Sequence, residues 1–513
     1  MKRRELGIGV VAGLAAMALA GMAPLAAADI TRGGTLNVIV DLEPASLDPL
    51  FGNALGSDRR WFNLFAENLI LQDDKGEFQP WLAESWQWAD DKKSITFKLR
   101  QDVKFQDGTP FDAAAAKFNF DRVIDPVVDA RARQYMGNLE STEIVDDYTI
   151  KLNLKEPSGA FMATLAIEPG SMMSPTAIKE RGADFARNPV GTGPFKVTSW
   201  TSGEVQAERF DGYWRDGEDG KKLPYLDKVR VRALSNTAVK LVELKSGSVQ
   251  LGDSIQVKDF DQVERDANLV LLDTNQGQTQ YVSFNNAKPP LDNIELRKAV
   301  AMGINREAIE KAISRGQGVV LKGLEPPTAW AYDADVRTHE FDPEAAREAY
   351  AKSGHKGPLT MSVIQRDPDT QIAQLMQAML KQIGIELKIE VLERQAWVEK
   401  TLNHNYELGI LRATLPRPDP DMDFSSYYGR NAGQNYSGLN DPKIWDMVDA
   451  ARTATDQAER KKIYTEIQQQ LLDNYNQTYL FWRPAKEVAR KELQNLQREF
   501  ASAWRYGDMW LAQ

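Results

Sequence analysis

The stretch LTMSVIQRDPDTQIAQLMQAMLKQIGIELKIEV (359–391) decides the fold class. Its first six residues read as a strand. A helix follows, carrying Ile372, Leu375, Met376, Met379, Leu380 and Ile383 at spacings of 3, 1, 3, 1 and 3, so six apolar side chains share one stripe. Gly384 stands where a helix C-cap needs positive φ. Ile385, Leu387, Ile389 and Val391 then alternate with Glu386, Lys388 and Glu390, the period of a half-buried strand. Strand, helix and strand in this order form a βαβ unit, which belongs in a covered, largely parallel sheet.

The flanking sequence repeats these patterns. Leu36, Val38 and Val40 alternate with polar neighbours, and SITFKLR (94–100) and YTIKLNL (148–154) read as half-buried strands. Residues 190–210 read as strand, turn at Thr201-Ser202-Gly203, and strand. A second amphipathic helix, about 459–475, buries Ile463, Tyr464, Ile467, Leu471 and Leu472. The chain has 513 residues, 42% of them hydrophobic and 27% charged, enough for about two to four structural units with real cores. A net charge of −10 disfavours nucleic acid as a partner. The absence of cysteine rules out disulfides, thiolate metal sites and cysteine nucleophiles. His339, His355 and His404 are too scattered for a histidine metal site.

Residues 1–28 read as a secretory leader. Lys2, Arg3 and Arg4 precede an apolar stretch that ends in Ala26-Ala27-Ala28, an A-x-A cleavage site before Asp29. Five interruptions (Gly7, Gly9, Gly13, Gly21 and Pro24) argue against a retained span, and Sec export is preferred to the twin-arginine route. No cysteine follows to carry a lipid. The expected location is the periplasm, free of the membrane.

Three motifs invite chemistry and each has a plainer reading. Gly191-Thr192-Gly193-Pro194 lacks the lysine of a phosphate loop and reads as a turn before a strand; no G-x-x-x-x-G-K-[ST] occurs anywhere. Asp107-Gly108-Thr109-Pro110 reads as a turn leading to a helix capped by Asp112. Asp419, Asp421 and Asp423 read as caps for a helix starting near Asp423 rather than as metal ligands. No cofactor, no metal and no catalytic residue is expected.

Several segments, in order and spacing, resemble the family 5 bacterial extracellular solute-binding proteins, the periplasmic components of peptide, nickel and opine ABC importers. They are GGTLNVIVDLEPASLDPLF (33–51), FQPWLAESWQWADDKKSITFKLRQDVKFQDGTPFDAAAAKFNFDRVIDP (78–126), NPVGTGPFKVTSW (188–200), YVSFNNAKPPLDNIELRKAVAMGINREAI (281–309), RPDPDMDFSSYYG (417–429) and NYSGLNDPKIWDMVDAAR (435–452). The resemblance implies an α/β two-lobed clamshell of the class II, large cluster C type, with an extra inserted α+β domain. It places lobe I at 29–63, 190–283 and 480–513, the inserted domain at 64–189, and lobe II at 284–479. It further implies a monomer that closes on a small organic solute (peptide, opine, modified sugar or metal chelate) and docks on permease subunits driven by separate ATPases. The rival classes are a secreted hydrolase, for which no G-x-S-x-G or H-E-x-x-H is present, and a ligand-binding chemoreceptor adaptor on the same fold.

The residues of one segment bear on the ligand. Residues 408–414 (LGILRAT) read as a strand with Leu408, Ile410, Arg412 and Thr414 on one face. In the family, the loop that follows lines the cleft, and peptide binders place an aspartate four residues before the proline of the Asp-Pro pair. Here that position is Pro416, flanked by Arg412 and Arg417. The candidate ligand-binding residues are therefore Arg412, Thr414, Leu415 and Arg417, with Trp397 as an apolar wall and Arg131 from a polar stretch that includes Arg133 and Tyr135. Arginines without an opposing aspartate favour an anionic or α-amino-blocked solute; internal salt bridges are the equal alternative for both.

Overall fold

A computed structural model describes residues 30–52, 58–201, 203–500 and 503–513. Residues 1–28, expected to be a leader, lie outside the described residues. Among these residues no helix is long and apolar enough to cross a membrane.

The βαβ unit forms as its periodicity dictates. The strand Leu359–Ile364 pairs in parallel with Leu387–Leu392, joined by the helix Asp369–Gln382. Gly384 adopts φ 90 and ends the helix. The second strand starts later than the alternation suggests, because Ile385 still bonds back to Leu380 in the cap. Leu375 and Met379 are only half-buried; Ala373 takes the centre of the stripe with Ile372, Met376 and Leu380. The C-terminal amphipathic helix runs Gln457–Asp473, two residues earlier than its apolar pattern implies, because Asp456 caps it by accepting from the Glu459 amide. Asp112 likewise caps the helix Ala113–Ile124 through the Ala115 amide.

Ten strands follow one another across a central sheet: Phe195–Thr201, Glu204–Arg209, Lys228–Ala233, Thr35–Val40, Leu251–Gly252, Gln477–Arg490, Leu269–Phe284, Leu408–Leu415, Leu359–Ile364 and Leu387–Leu392. The sheet is mixed rather than largely parallel. Each half keeps its own parallel core, but the long strands Leu269–Phe284 and Gln477–Arg490 run antiparallel and carry the chain between the halves. Their ladder breaks between Asp273 and Gly277, where Pro484 removes a donor. A separate antiparallel sheet of Ala83–Trp88, Ser94–Leu99, Thr149–Leu154 and Leu139–Asp146 carries the helix Ala113–Ile124. It shares one apolar core with the first half of the central sheet, through Phe97, Phe120 and Ile150 beside Leu36, Val38 and Trp504. The second half has a core on each face of its sheet.

Gly191 and Gly193 serve close approach rather than a turn with unusual φ. A Cβ on Gly191 would lie 2.0 Å from the Phe65 carbonyl oxygen, and the Gly193 amide donates to that same oxygen at 2.9 Å.

Buried His339 makes stability depend on pH. Its Nε2–H donates to the Leu472 carbonyl at 2.8 Å, and its ring stacks on Tyr475. Burial pushes its pKa down to about 4. A free histidine titrates near ~6.5, so between those values the unfolded chain binds the proton more readily. The His339 contribution is whole above pH ~6.5 and is lost as pH falls towards 4, on the order of 3 kcal/mol in all. Urea unfolding at pH 7 and 4.5 should show His339→Gln losing less stability on acidification than wild type. Equal losses would remove His339 as the cause.

Candidate functional site

Parallel strands leave their C-terminal ends open, and ligands of α/β folds bind outside those ends. In the first half, Thr35–Val40 delivers Asp41, Lys228–Ala233 delivers Ser235, and Leu251–Gly252 leads to Ser254. In the second half, Leu359–Ile364 leads to Asp367 and Pro368. These ends line one cavity of about 620 Å³, with Gln278 and Arg483 of the two crossover strands as its floor. That volume is within the ~300–1,000 Å³ of small-molecule sites.

Strand register decides which predicted residues reach it. Across Leu269–Phe284, Gln278 pairs with Thr414 on one side and Arg483 on the other, and Gln280 pairs with Arg412. Side chains alternate along a strand, so Arg412, Thr414, Gln278 and Arg483 share one face. Arg412 lines the cavity, while the Thr414 hydroxyl accepts from Gln278 Nε2 at 2.9 Å. Leu415 points the other way into the core with Phe424 and Tyr428.

Arg417 is placed away from Arg412. It leaves the strand on the Leu415 side, where its Nε lies 2.9 Å from Asp423 Oδ1. It also acts on the Tyr427 and Tyr135 phenols, the latter from the 3-10 turn Arg131–Tyr135. Burial pushes the Asp423 carboxyl up to about 6, against the pull of Arg417. The two arginines expected to flank one gap therefore part: Arg412 faces the cavity and Arg417 makes an internal pair.

The remaining expected residues are placed as follows. Trp397 is 4% exposed, donates its indole N–H to the Ser362 carbonyl at 3.0 Å and packs against Tyr436; it is core rather than a free wall. Arg131 is exposed at the start of its turn, and Tyr135 is the residue of that turn that approaches Arg417. Asp419, Asp421 and Asp423 each meet a different arginine: Arg460, Arg452 and Arg417. The helix they precede starts at Asp421, and only Asp419 caps it, by accepting from the Asp421 amide. Among the described residues no cluster of histidine and carboxylate is placed to hold a metal.

The cavity is electropositive. Burial lowers the pKa of Arg412; Arg366, Arg483 and Arg394 lower it further, while Asp369 opposes them. Asp369 is itself held by Arg366 at 2.7 Å. Burial lowers Arg483 as well. On the opposite wall Asp41 is bound by the Lys240 ammonium. Sequence reasoning missed Arg483, Arg315 and Gln278. The one available signal was a lone cation closing the apolar run Tyr479–Trp482.

Residues 77–435 match the family described as bacterial extracellular solute-binding proteins, family 5, middle region. Glutathione-binding protein GsiB of Escherichia coli O6:K15:H31 (strain 536 / UPEC) is 31% identical over 333 residues; the match covers 64% of this chain and 64% of that protein. The periplasmic binding protein DppA from Helicobacter pylori, solved with the peptide STSA, superposes with a TM-score of 0.80 at 24% identity, covering 94% of this chain and 99% of that one. AgaA of A. tumefacien R10, solved with agropinic acid, gives 0.76 at 26% identity, covering 94% and 99%.

Proposed function

We infer the function of this chain from one premise: it belongs to the bacterial extracellular solute-binding proteins, family 5. It is the solute-capturing component of an ABC importer, working as a monomer in the periplasm. The solute is a small organic molecule of the peptide, opine, modified-sugar or metal-chelate kind. It lies in the 620 Å³ cavity between Asp41, Ser235 and Ser254 on one wall and Arg412, Arg315 and Gln371 on the other. Contacts with both walls favour the closed arrangement, and the broken ladder between Asp273 and Gly277 supplies the hinge. Capture and release make and break no covalent bond, so no catalytic residue is assigned. Import needs ATPase subunits on other chains, since no phosphate-loop motif is present.

The observation that carries this reading is Arg412. Among the described residues its guanidinium has no hydrogen-bond or salt-bridge partner, and it faces the cavity at the meeting of both halves. An acidic group on the solute satisfies it bidentately. Pro416, and Asp423 with its partner Arg417, lie outside this lining, so neither supplies a carboxylate for a free amino terminus in the cavity. Calorimetry with whichever solute gives a thermal shift should show Arg412→Gln binding weaker by about 1.5–3 kcal/mol. Wild-type affinity in that variant would sink the assignment of the cavity.

A further inference from the structure

We propose that the captured solute is an organic dianion, one acidic group held by Arg412 and the second by Arg483. This rests on the proposed function of the same cavity and goes further by fixing the charge of its cargo.

The argument is one of charge balance. Lining the cavity, Asp41 is paired with Lys240 and Lys486 with Asp273. Arg412, Arg483, Arg315 and Lys258 also line it, and no salt bridge joins any of the four to a protein carboxylate among the described residues; Asp367 is the carboxylate left to face them. Asp369 lies beyond the lining and turns its Oδ2 to Arg366. Arg412 and Arg483 sit on one face of the crossover sheet, close enough for Arg483 to oppose the charge on Arg412. Arg412 is exposed to the cavity and Arg483 half-buried, so a solute that closes over them strips their water, and a cation left there without a counter-charge is costly, the more so beside a like charge. A single carboxylate engages one guanidinium in the forked geometry and leaves the other exposed to its neighbour's repulsion. Two acidic groups on one solute satisfy both.

The register gives the spacing. Arg412 and Arg483 stand on strands either side of Leu269–Phe284, opposite Gln280 and Gln278, so two strand widths and a two-residue offset put their backbones ~12 Å apart. Two long side chains reaching inward from such positions take acidic groups separated by several bonds, as at the two ends of a small dicarboxylic or phosphorylated acid. Gln278 stands between them, its Nε2 donating to the Thr414 hydroxyl.

The test uses matched probes that differ by one acidic group: N-acetyl-alanyl-glutamate against N-acetyl-alanyl-glutamine, and N-succinyl-alanine against N-acetyl-alanine. Calorimetry on the full mature protein should find the dianion of at least one pair bound ~10-fold or more tighter than its partner. Arg483→Gln should bring that ratio close to one. Because Arg483 pairs with no protein acid, this variant leaves no buried carboxylate stranded, and thermal unfolding checks that it folds. In parallel, native mass spectrometry identifies what the protein retains from a bacterial small-molecule extract. Equal affinities within the pairs, or retention of a neutral or singly charged solute, overturns the dianion and leaves solute capture standing. Binding of no probe and no component of the extract overturns solute capture itself.

Discussion

Arg460→Met should lower folding stability by about 3–5 kcal/mol, the cost of stranding one member of a buried ion pair. Arg460 and Asp419 are both almost wholly buried, and the guanidinium forks onto the carboxylate with Nη1 at 2.7 Å and Nη2 at 2.5 Å. Its Nε donates to the Ala451 carbonyl at 2.9 Å, and it lies over the Trp330 ring. Removing the cation leaves the Asp419 carboxylate buried, with the Asp421 amide but no counter-charge to hold it. Asp419 also caps the helix Asp421–Tyr428, so the damage reaches the segment that follows the Arg412 strand. The double variant Arg460→Met, Asp419→Leu should recover much of the loss, since an apolar pair of similar volume carries no desolvation penalty. Urea unfolding midpoints decide it. A single variant within ~1 kcal/mol of wild type would mean that water reaches the pair.

Lys240→Met should have an effect of the same size, about 3–5 kcal/mol, and it touches the cavity directly. The Lys240 side chain is fully buried, with its ammonium bound to the Asp41 carboxylate, the Asp253 carboxylate at 2.8 Å and the Asp253 carbonyl at 3.0 Å. Arg60 joins Asp253 to Glu487, so two cations hold three acids. Burial already raises the Asp41 carboxyl, with Asp253 adding to it and Lys240 opposing. Without the ammonium that carboxyl rises further, and the folded state takes up protons that the unfolded chain releases. The loss should therefore shrink as pH is lowered from 7.5 to 5. A loss that does not depend on pH would assign the effect to packing instead. Asp41 is part of the cavity wall, so the same variant should alter solute affinity, which calorimetry on Arg412→Gln and Lys240→Met in parallel would separate.

The local elements were legible because local physics makes them. The stripe from Ile372 to Leu380, the cap at Gly384, and Asp112 at its helix start need only their neighbours within one or two turns. The alternation in 408–414 was legible for the same reason, and it put Arg412 and Thr414 on one face before any partner strand was known. Boundaries slipped where a cap outweighs apolar periodicity, as at Asp456.

The long-range part was not legible. Asp419, Asp421 and Asp423 look like one motif in the chain, yet the fold gives each its own arginine, two of them from the later helices Pro442–Thr453 and Gln457–Asp473. Arg412 and Arg417 look like a pair, yet Leu415 turns into the core between them and they part to opposite faces. Arg483 joins Arg412 only through the strand that lies between theirs. The sequence by itself determined the class of fold, the caps at Asp112 and Gly384 and the family, since each rests on contacts within a segment or on the order of segments. The tertiary structure alone decided which cations meet an acid and which face the cavity, because pairing is set by distance through space, and strand register, not chain spacing, fixes that distance.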